Sequence, residues 1–220
     1  MRFANRVEAG KRLASAMTEF AGLKGFVLAI PRGGVVVGYE IAQSLGFPLD
    51  VIVPRKIRAP ENPELAIGAM TEDGTILLND KLANYLGVSE TYLQGEIAHQ
   101  KSEIERRLRL YRGHTRRSDL KNRDAIIVDD GIATGSTMKA ALASVRKSGA
   151  KTVSVAIPVG PPSTISELEK QADRVICLYT PEAFDAIGQF YEDFAQTTDE
   201  EVIELLKLNK QKEPIVSREG

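Results

Sequence analysis

Five short, almost wholly apolar runs divide the chain, and segments with helical periodicity separate most of them. The runs have the length and composition of buried strands: FVLAI (26–30), LDVIV (49–53), DAIIVD (124–129), KTVSVAIPV (151–159) and DRVICLY (173–179). Buried strands that alternate with helices are typical of a parallel sheet covered by helices. The sequence therefore predicts an α/β fold with a doubly wound, mostly parallel sheet of about five strands, with ligands bound beyond the carboxyl ends of the strands.

Helical patterns with capping residues fill most of the segments between these runs. Asn5 and Glu8 form a near capping box for a first helix within 5–20, and Gly46 closes a helix over 35–46. Further helices are expected at 89–111, after the third strand, at 162–171 and from about residue 199. The Asp73-Gly74 pair indicates a hairpin turn, whereas the Pro-rich segment 54–64 excludes a continuous helix or a central strand.

Length and composition fit one globular domain. The 220 residues are 43% hydrophobic and 27% charged, which suffices for a sizeable core. We expect a single domain over 1–220 with a core at about 24–180, a small hood from 1–10 and 181–208, and a mobile tail at 209–220.

Charge and cysteine content indicate the compartment. The net charge of −1 argues for neither nucleic acid nor membrane as a partner. Cys177 is the single cysteine, so a disulfide within the chain is impossible and a reducing compartment is indicated. We expect Cys177 to be a small apolar strand residue. The N-terminus lacks a signal-peptide core and no apolar run approaches membrane length, so the cytoplasm is the expected location.

The third apolar run leads into the loop DDGIATGSTM, which has the features of a phosphate site. Gly131 and Gly135 allow tight backbone turns, and the amides of Ala133 to Thr137 open the next helix. Hydroxyl donors come from Thr134, Ser136 and Thr137. The glycine spacing fits neither a Walker A loop nor a GxGxxG motif.

Two adjacent acids, Asp129 and Asp130, precede this phosphate-type loop. Carboxylates would repel a bare phosphate, but they accept strong hydrogen bonds from neighbouring hydroxyls. A ribose 5-phosphate carries both a diol and a phosphate at a suitable separation. The alternative is that the two acids cap a loop around a buried water.

The stretch IIVDDGIATGSTM (126–138) resembles the PRPP-binding signature of type I phosphoribosyltransferases. PRGG (31–34) lies where this family has its pyrophosphate loop, and RKIRAP (55–60) is similar to the Arg-Lys pair that precedes the family's mobile catalytic loop. The order of strands and loops fits from about Phe26 to Tyr179. The two ends of the chain look like an uncharacterised branch of predicted phosphoribosyltransferases.

The resemblance implies an enzyme of nucleotide metabolism and a role for each motif. Asp129 and Asp130 would be catalytic and hold the ribose hydroxyls. The residues expected to bind the phosphate groups of PRPP are Arg32, Gly33, Gly34, Arg55, Lys56, Ala133, Thr134, Gly135, Ser136 and Thr137. Mg²⁺ would be held mainly by PRPP, and no dedicated protein metal site is expected. Relatives commonly form dimers, so a homodimer is one expected assembly.

The acceptor base and the acid–base group stay open at this stage. Hypoxanthine-guanine enzymes have an Asp at the position of Ala133, which this chain lacks, whereas adenine enzymes use a Glu on the mobile loop. Here that loop falls between Ile57 and Gly74, where the candidates are Glu61, Glu64 and Glu72. His99 and His114 are further candidates, although histidines on a long helix are more often surface or packing residues.

Two further hypotheses concern the hood and the PRGG loop. Segments 1–6 and 183–194 would select the acceptor, with a planar base stacked on aromatic rings; ordinary packing of these rings is the alternative. The rings are Phe184, Phe190, Tyr191 and Phe194. In this family the pyrophosphate loop often contains a cis peptide bond before a residue other than proline. The corresponding bond here is Pro31–Arg32. The alternative is a glycine turn in which all peptide bonds are trans.

The long helix carries a basic face, which is either solvated surface or a rim that attracts an anion. Its cations are Lys101, Arg106, Arg107, Arg109 and Arg112, followed by Arg116 and Arg117. A PRPP-sensing regulator without turnover, whose basic helix contacts RNA or another protein, is therefore the alternative function. RNA is the weaker of these two partners, because no aromatic residues are interleaved with the cations. A third possibility, a diphosphokinase-related synthase subunit, lacks a recognisable ATP site.

Overall fold

The computed structural model describes residues 2–113 and 118–212. Its centre is a five-stranded sheet built from β1 (Gly25–Ala29), β2 (Leu49–Val51), β6 (Asp124–Val128), β7 (Thr152–Val159) and β8 (Arg174–Tyr179). The strand order is β2-β1-β6-β7-β8, and every neighbouring pair is parallel. The predicted α/β fold with a five-stranded parallel sheet is therefore confirmed.

Helices cover both faces of this sheet. One face packs against α1 (Arg6–Ser15) and α2 (Gly33–Leu45), and the other packs against α5 (Ser136–Lys147) and α6 (Pro162–Glu169). Because both faces are covered, the strands are mostly apolar, and all five residues of β6 are buried. The first helix is shorter than predicted: α1 ends at Ser15, and a 3₁₀ turn follows at Thr18–Phe20.

A second, smaller antiparallel sheet lies beside the main sheet. It consists of β3 (Arg55–Arg58), β4 (Ala66–Met70) and β5 (Ile76–Leu78), with β4 in the middle. Gly74 has φ 79° in the turn between β4 and β5, which is the hairpin that Asp73-Gly74 predicted. The Pro-rich segment supplies only the edge strand β3, in agreement with the exclusion of a central strand.

The remaining helices lie around these two sheets. They are α3 (Asp80–Tyr85), α4 (Glu90–Arg112) and α7 (Asp199–Lys212), and a 3₁₀ turn covers Ile187–Phe190. In the described part of the chain, no helix combines the length and apolar character needed to cross a membrane.

The two segments predicted to form a hood pair with each other. The Phe3 N–H donates to the carbonyl of Phe190 at 2.8 Å, and the Asp193 N–H donates to the carbonyl of Ala4 at 2.9 Å. The first residues of the predicted mobile tail, 209–212, are the end of α7, and the buried Asn209 accepts from the Leu49 N–H at 2.7 Å. Residues 213–220 of that tail lie outside the described residues.

Candidate functional site

The site lies where the direction of chain winding reverses in the main sheet. β1 lies between β2 on one side and β6 on the other, so the loops after β1 and β6 leave the same sheet edge side by side. The Ile30 N–H donates to the carbonyl of Val128 at 2.8 Å and ties the two loops together. A crevice at such a switch point is the usual ligand position in this architecture.

The acid pair occupies this crevice and is in direct contact with the PRGG loop. A Cβ on Gly33 would lie 1.9 Å from Oδ2 of Asp130, and one on Gly34 would lie 2.9 Å from Cα of Asp129. Any larger residue at either glycine would push the two loops apart. The glycines predicted for the pyrophosphate loop are thus brought together with the acids predicted for the ribose.

The two carboxylates have different surroundings. Burial, reinforced by the charge of Asp130, raises the pKa of Asp129 well above its usual range. Its Oδ1 also accepts the Asp130 N–H at 2.8 Å. Asp130 instead forms an ion pair with Arg6, whose Nε lies 2.7 Å from Oδ2. The acid pair therefore combines one carboxyl that resists ionisation with one that has a cationic partner.

Three residues of the hood hold this arrangement: Arg6, Tyr191 and Phe194. The sequence analysis named the two aromatic residues individually, but it included Arg6 only as part of segment 1–6. Besides its contact with Asp130, Arg6 donates to the carbonyl of Ala195 at 2.7 Å and lies 3.9 Å above the ring of Phe194. The hydroxyl of Tyr191 donates to the main-chain carbonyl of Asp130 at 2.6 Å. These partners are far apart in sequence, so only the fold brings them together.

The phosphate-type loop turns as its glycines predicted. Gly135 has φ 74° and stands at the N-cap of α5, which begins at Ser136. The Thr164 hydroxyl donates to the carbonyl of Ala133 at 2.6 Å and fixes the loop from outside. The hydroxyls of Thr134 and Ser136 lie 3.1 Å apart.

The peptide bond between Pro31 and Arg32 is cis. This confirms the conformation predicted for the PRGG loop and excludes the all-trans alternative. Nη1 of Arg32 lies 3.8 Å from Oδ1 of Asp199, which also accepts the hydroxyl of Tyr111 at 2.5 Å. Asp199 and Tyr111 were missed by sequence analysis, because nothing local relates α7 and α4 to the PRGG loop.

Two clefts meet at the phosphate-type loop. The first has a volume of about 410 Å³, and its lining includes Pro31, Arg55, Lys56 and Thr137. The second, of about 330 Å³, is lined by Lys56, Thr134 and Ser136 together with β4 and β5. The structure therefore brings the Arg55-Lys56 pair to the PRGG and phosphate-type loops, as predicted from the sequence.

Only one of the glutamates proposed as acid–base groups lines these clefts. Glu64 lines both of them, in the connection between β3 and β4. Glu72 instead lies 3.0 Å from Nη1 of Arg112 in an ion pair, and Glu61 is exposed. His99 is exposed on α4, and His114 lies outside the described residues.

Only part of the range in which the closing loop was expected is a loop. The range from Ile57 to Gly74 includes the end of β3 and all of β4, and its last turn is held to the body of the protein. Asp73 accepts from the hydroxyls of Thr71 and Thr75 and lies 3.5 Å from Nζ of Lys147 on α5. The candidate closing loop is therefore the 59–65 connection, whose ends are joined by a hydrogen bond from the Ala59 N–H to the Leu65 carbonyl.

Two of the four hood rings proposed to stack on a base are packed inside the protein. Phe190 is 7% exposed and Tyr191 is 1% exposed, so neither ring can stack on a ligand without rearrangement. Phe184 and Phe194 are half-buried. The packing alternative thus applies to two rings of the four.

Two of the remaining titratable groups singled out in the sequence, Arg112 and Cys177, have structural roles. Arg112, expected on a basic face, is buried beside Asp50 and Glu72. Cys177 lies in β8, where burial raises its pKa to about 11, so it is a protonated thiol at neutral pH. Arg116 and Arg117 lie outside the described residues.

A parallel sheet with its candidate site at the switch point is the architecture of many α/β proteins that bind nucleotides. The family model described as the phosphoribosyl transferase domain matches residues 5–195. The chain belongs to the phosphoribosyl transferase family, as its resemblance to the type I enzymes predicted.

Three relatives are similar to most of this chain. The chain is 43% identical over 204 residues to Rv0571c and MT0597, two Mycobacterium tuberculosis proteins provisionally named phosphoribosyl transferases. The alignments cover 93% of this chain but 46% of each relative, so the chain spans about half the length of these curated relatives. It is also similar to the crystal structure of TT1426 from Thermus thermophilus, with a TM-score of 0.79, 42% identity, and coverage of 94% of this chain and 98% of that one.

Proposed function

We propose that this protein transfers the 5-phosphoribosyl group of PRPP to a nitrogen of a purine- or pyrimidine-like base and releases pyrophosphate. One observation carries the proposal: the acid pair, the phosphate-type loop and the PRGG loop converge on one crevice, with Gly33 against Asp130. PRPP has a diol, a 5-phosphate and a pyrophosphate, and each of these groups matches one of the three elements.

The assignment of groups follows from charge and hydrogen-bonding capacity. Asp129 and Asp130 would accept hydrogen bonds from the ribose hydroxyls, and the amides and hydroxyls of residues 133–137 would bind the 5-phosphate. The cis loop at Arg32 to Gly34 would bind pyrophosphate, with Arg55 and Lys56 adding charge. Asp130 is paired with Arg6, so substrate binding would exchange that ion pair for hydroxyl contacts.

The reaction would be a displacement at C1 of the ribose. The nitrogen of the base forms a bond to C1 while the bond from C1 to the pyrophosphate oxygen breaks, and the electron pair leaves with pyrophosphate. Positive charge develops on the ribose and would be stabilised by the nearby carboxylates. Glu64 is the glutamate best positioned to receive the proton lost by the base, because it lines both clefts.

We propose Mg²⁺ as the cofactor, held mainly by oxygens of PRPP. Among the described residues no group of three or more His, Cys, Asp or Glu side chains could hold a metal ion. Mg²⁺ in phosphate sites needs only one or two carboxylates, so Asp129 and Asp130 are compatible with it. When bound, the ion would offset negative charge on the departing pyrophosphate.

The acceptor is expected to bind under the hood. A Cβ on Gly131 would lie 2.5 Å from Cγ2 of Ile187, so the 3₁₀ turn at Ile187–Phe190 lies directly against the acid loop. Phe184 and Phe194 have exposed surface and are the rings available to contact a planar base. The single cysteine and its protonated state are compatible with our proposed location in the cytoplasm.

The proposal is tested by binding and by turnover. Calorimetry should detect PRPP–Mg²⁺, and Asp130→Asn should weaken that binding by about 1.5–3 kcal/mol, because a charged acceptor is lost while the shape is kept. Thr137→Val should weaken ribose 5-phosphate as well as PRPP. The matched control is Asp173→Asn, at the opposite edge of the sheet, where the carboxylate accepts the Val153 N–H at 2.7 Å. Equal PRPP affinity in all four proteins would overturn the proposal.

Turnover distinguishes the enzyme from the alternative, a regulator that only senses PRPP. The protein is incubated with PRPP, Mg²⁺ and a panel of purine and pyrimidine bases, and pyrophosphate is measured. Base-dependent release of pyrophosphate is the result expected. PRPP binding without release of pyrophosphate for any base would favour the regulator. The observation that supports this alternative is the ion pair between Asp130 and Arg6.

A further inference from the structure

The cleft that contains Arg55 and Lys56 has two more cationic residues in its lining. Arg58 and Arg107 line the same cleft of about 410 Å³ as Pro31 and Thr137. Arg58 follows in the same strand, but Arg107 belongs to α4, on another wall of the cleft. The opposing charge in the lining comes from Glu64.

Arg107 is held towards the cleft by an ion pair within its own helix. Its Nε lies 3.1 Å from Oε1 of Glu103, one turn earlier, and its side chain is 21% exposed. Hydrogen bonds from Arg106 and Arg107 lower the pKa of Glu103 to about 2, so the carboxylate that orients Arg107 is charged throughout the neutral range. Neighbouring Arg106 shares Glu103 as its partner, but its side chain is 55% exposed and it does not line the cleft.

The same face of α4 also orients the arginines of β3. Gln100 is fully buried, and its Oε1 accepts from Nε of Arg55 at 2.9 Å. Its Nε2 donates to Oε1 of Glu96 at 2.9 Å, and Glu96 lies 4.0 Å from Nε of Arg58. Residues 96, 100, 103 and 107 recur at helical spacing, so one face of α4 contacts three of the four cations.

Bringing these cations together is unfavourable unless an anion joins them. Burial, together with the charge of Arg107, lowers the pKa of Arg55. The two guanidinium groups therefore repel each other. A ligand with several negative charges would relieve this repulsion, and a diphosphate presents its oxygens in the geometry that guanidinium groups bind in pairs.

We infer that Arg107 is a further pyrophosphate-binding residue of this protein, supplied by α4 and outside the sequence motifs that predicted the site. The inference rests on the proposed function, because it takes PRPP as the ligand of the crevice. Pro31 and Thr137 in the lining connect the cleft with both the cis loop and the phosphate-type loop, so a pyrophosphate bound by the first loop would extend towards Arg107.

The experiment compares Arg107→Gln with Arg106→Gln. Each variant removes one positive charge and one ion pair with Glu103, but only Arg107 lines the cleft. Calorimetry is performed with pyrophosphate–Mg²⁺, PRPP–Mg²⁺ and ribose 5-phosphate. Arg107→Gln should weaken the first two by roughly tenfold to a hundredfold, the loss expected for a charge-assisted hydrogen bond, and leave ribose 5-phosphate within about twofold. Arg106→Gln should leave all three within about twofold of wild type.

The outcomes separate this inference from the proposed function. Absence of PRPP and pyrophosphate binding in the wild type would overturn both. Normal wild-type binding with no loss in Arg107→Gln, or with an equal loss for ribose 5-phosphate, would overturn the role of Arg107 alone. Thermal unfolding checks that each variant is folded. If Arg107→Gln does not fold, Arg107→Lys keeps the charge without the guanidinium fork and should still weaken pyrophosphate binding more than Arg106→Lys does.

Discussion

Asp129 and Asp130 are adjacent in sequence but experience opposite electrostatic environments. Asp130 is paired with Arg6, whereas Asp129 is half-buried next to another carboxylate. Such a pair is unfavourable for the folded state and is typical of sites whose ligand supplies the missing partners. The hydroxyls of a ribose would act as those partners, which relates the electrostatics of the acid pair to the proposed ligand.

The raised pKa of Asp129 predicts how stability depends on pH. Because the folded protein binds this proton more tightly than the unfolded chain, the contribution of Asp129 to stability is present at acid pH and is lost as pH rises through the raised pKa. Asp129→Asn keeps the acceptor for the Asp130 N–H and never ionises. The variant should therefore unfold at a higher temperature than wild type at pH 8. The gain should be a few degrees, because about 1 kcal/mol shifts the unfolding temperature by about 2–4 °C in a protein of this size. The gain should shrink at pH 4.5.

Thermal unfolding of the ligand-free protein at both pH values measures this effect. Asp185→Asn, at an exposed position, is the control and should show no such pH-dependent gain. A lower unfolding temperature for Asp129→Asn than for wild type at pH 8 would contradict the interpretation of the acid pair.

At the scale of single elements, the connection between β3 and β4 is an exposed loop at the edge of the site. The neighbouring turn at residues 71–75 is fixed through Asp73 and Lys147, but residues 60–64 project from a loop closed by the Ala59–Leu65 hydrogen bond. All of residues 60–64 are exposed, and Glu64 among them lines both clefts. A closing motion here would exclude water from the reacting C1.

Glu64→Gln tests whether this loop contributes to the chemical step. If Glu64 receives the proton of the base, the variant should lose about 10²-fold in kcat, within the usual range for general acid–base groups, while the Kd for PRPP stays within about twofold. The control is Glu61→Gln, an exposed glutamate of the same loop that lines neither cleft. Single-turnover rates with the base identified in the panel give the comparison. A similar rate for both variants would exclude Glu64 as the acid–base group.

The sequence predicted the parts of the site that depend on local geometry. The glycines of the PRGG and phosphate-type loops, and the acids between them, act through backbone turns and strand ends, which short stretches of sequence determine. Arg6, Asp199 and Tyr111 act through contacts made only after the chain folds. The Arg6 contact with Asp130 spans 124 residues, and no local pattern marks an arginine at the start of a helix for it.

At the scale of the whole molecule, α4 connects the two sheets. Asp50 stands inside the apolar run 49–53, where an acid has no local explanation. Its partner is Arg112 at the end of α4, whose Nε lies 2.8 Å from Oδ1 of Asp50 and whose Nη1 lies 3.0 Å from Oε1 of Glu72. The guanidinium group also donates to the carbonyl of Val51. One side chain thus joins β2 of the main sheet to the turn after β4 of the smaller sheet.

Arg112→Met should therefore destabilise the whole molecule. The Arg112 side chain is 8% exposed, and its removal would leave the carboxylates of Asp50 and Glu72 buried without this shared cation. Breaking a buried ion pair from one side costs about 3–5 kcal/mol, so the midpoint of urea unfolding should fall clearly below that of wild type. Arg109→Met, on the same helix and exposed, is the matched control and should change the free energy of unfolding by less than about 0.5 kcal/mol. Equal midpoints for the two variants would show that the sheets are held together without Arg112.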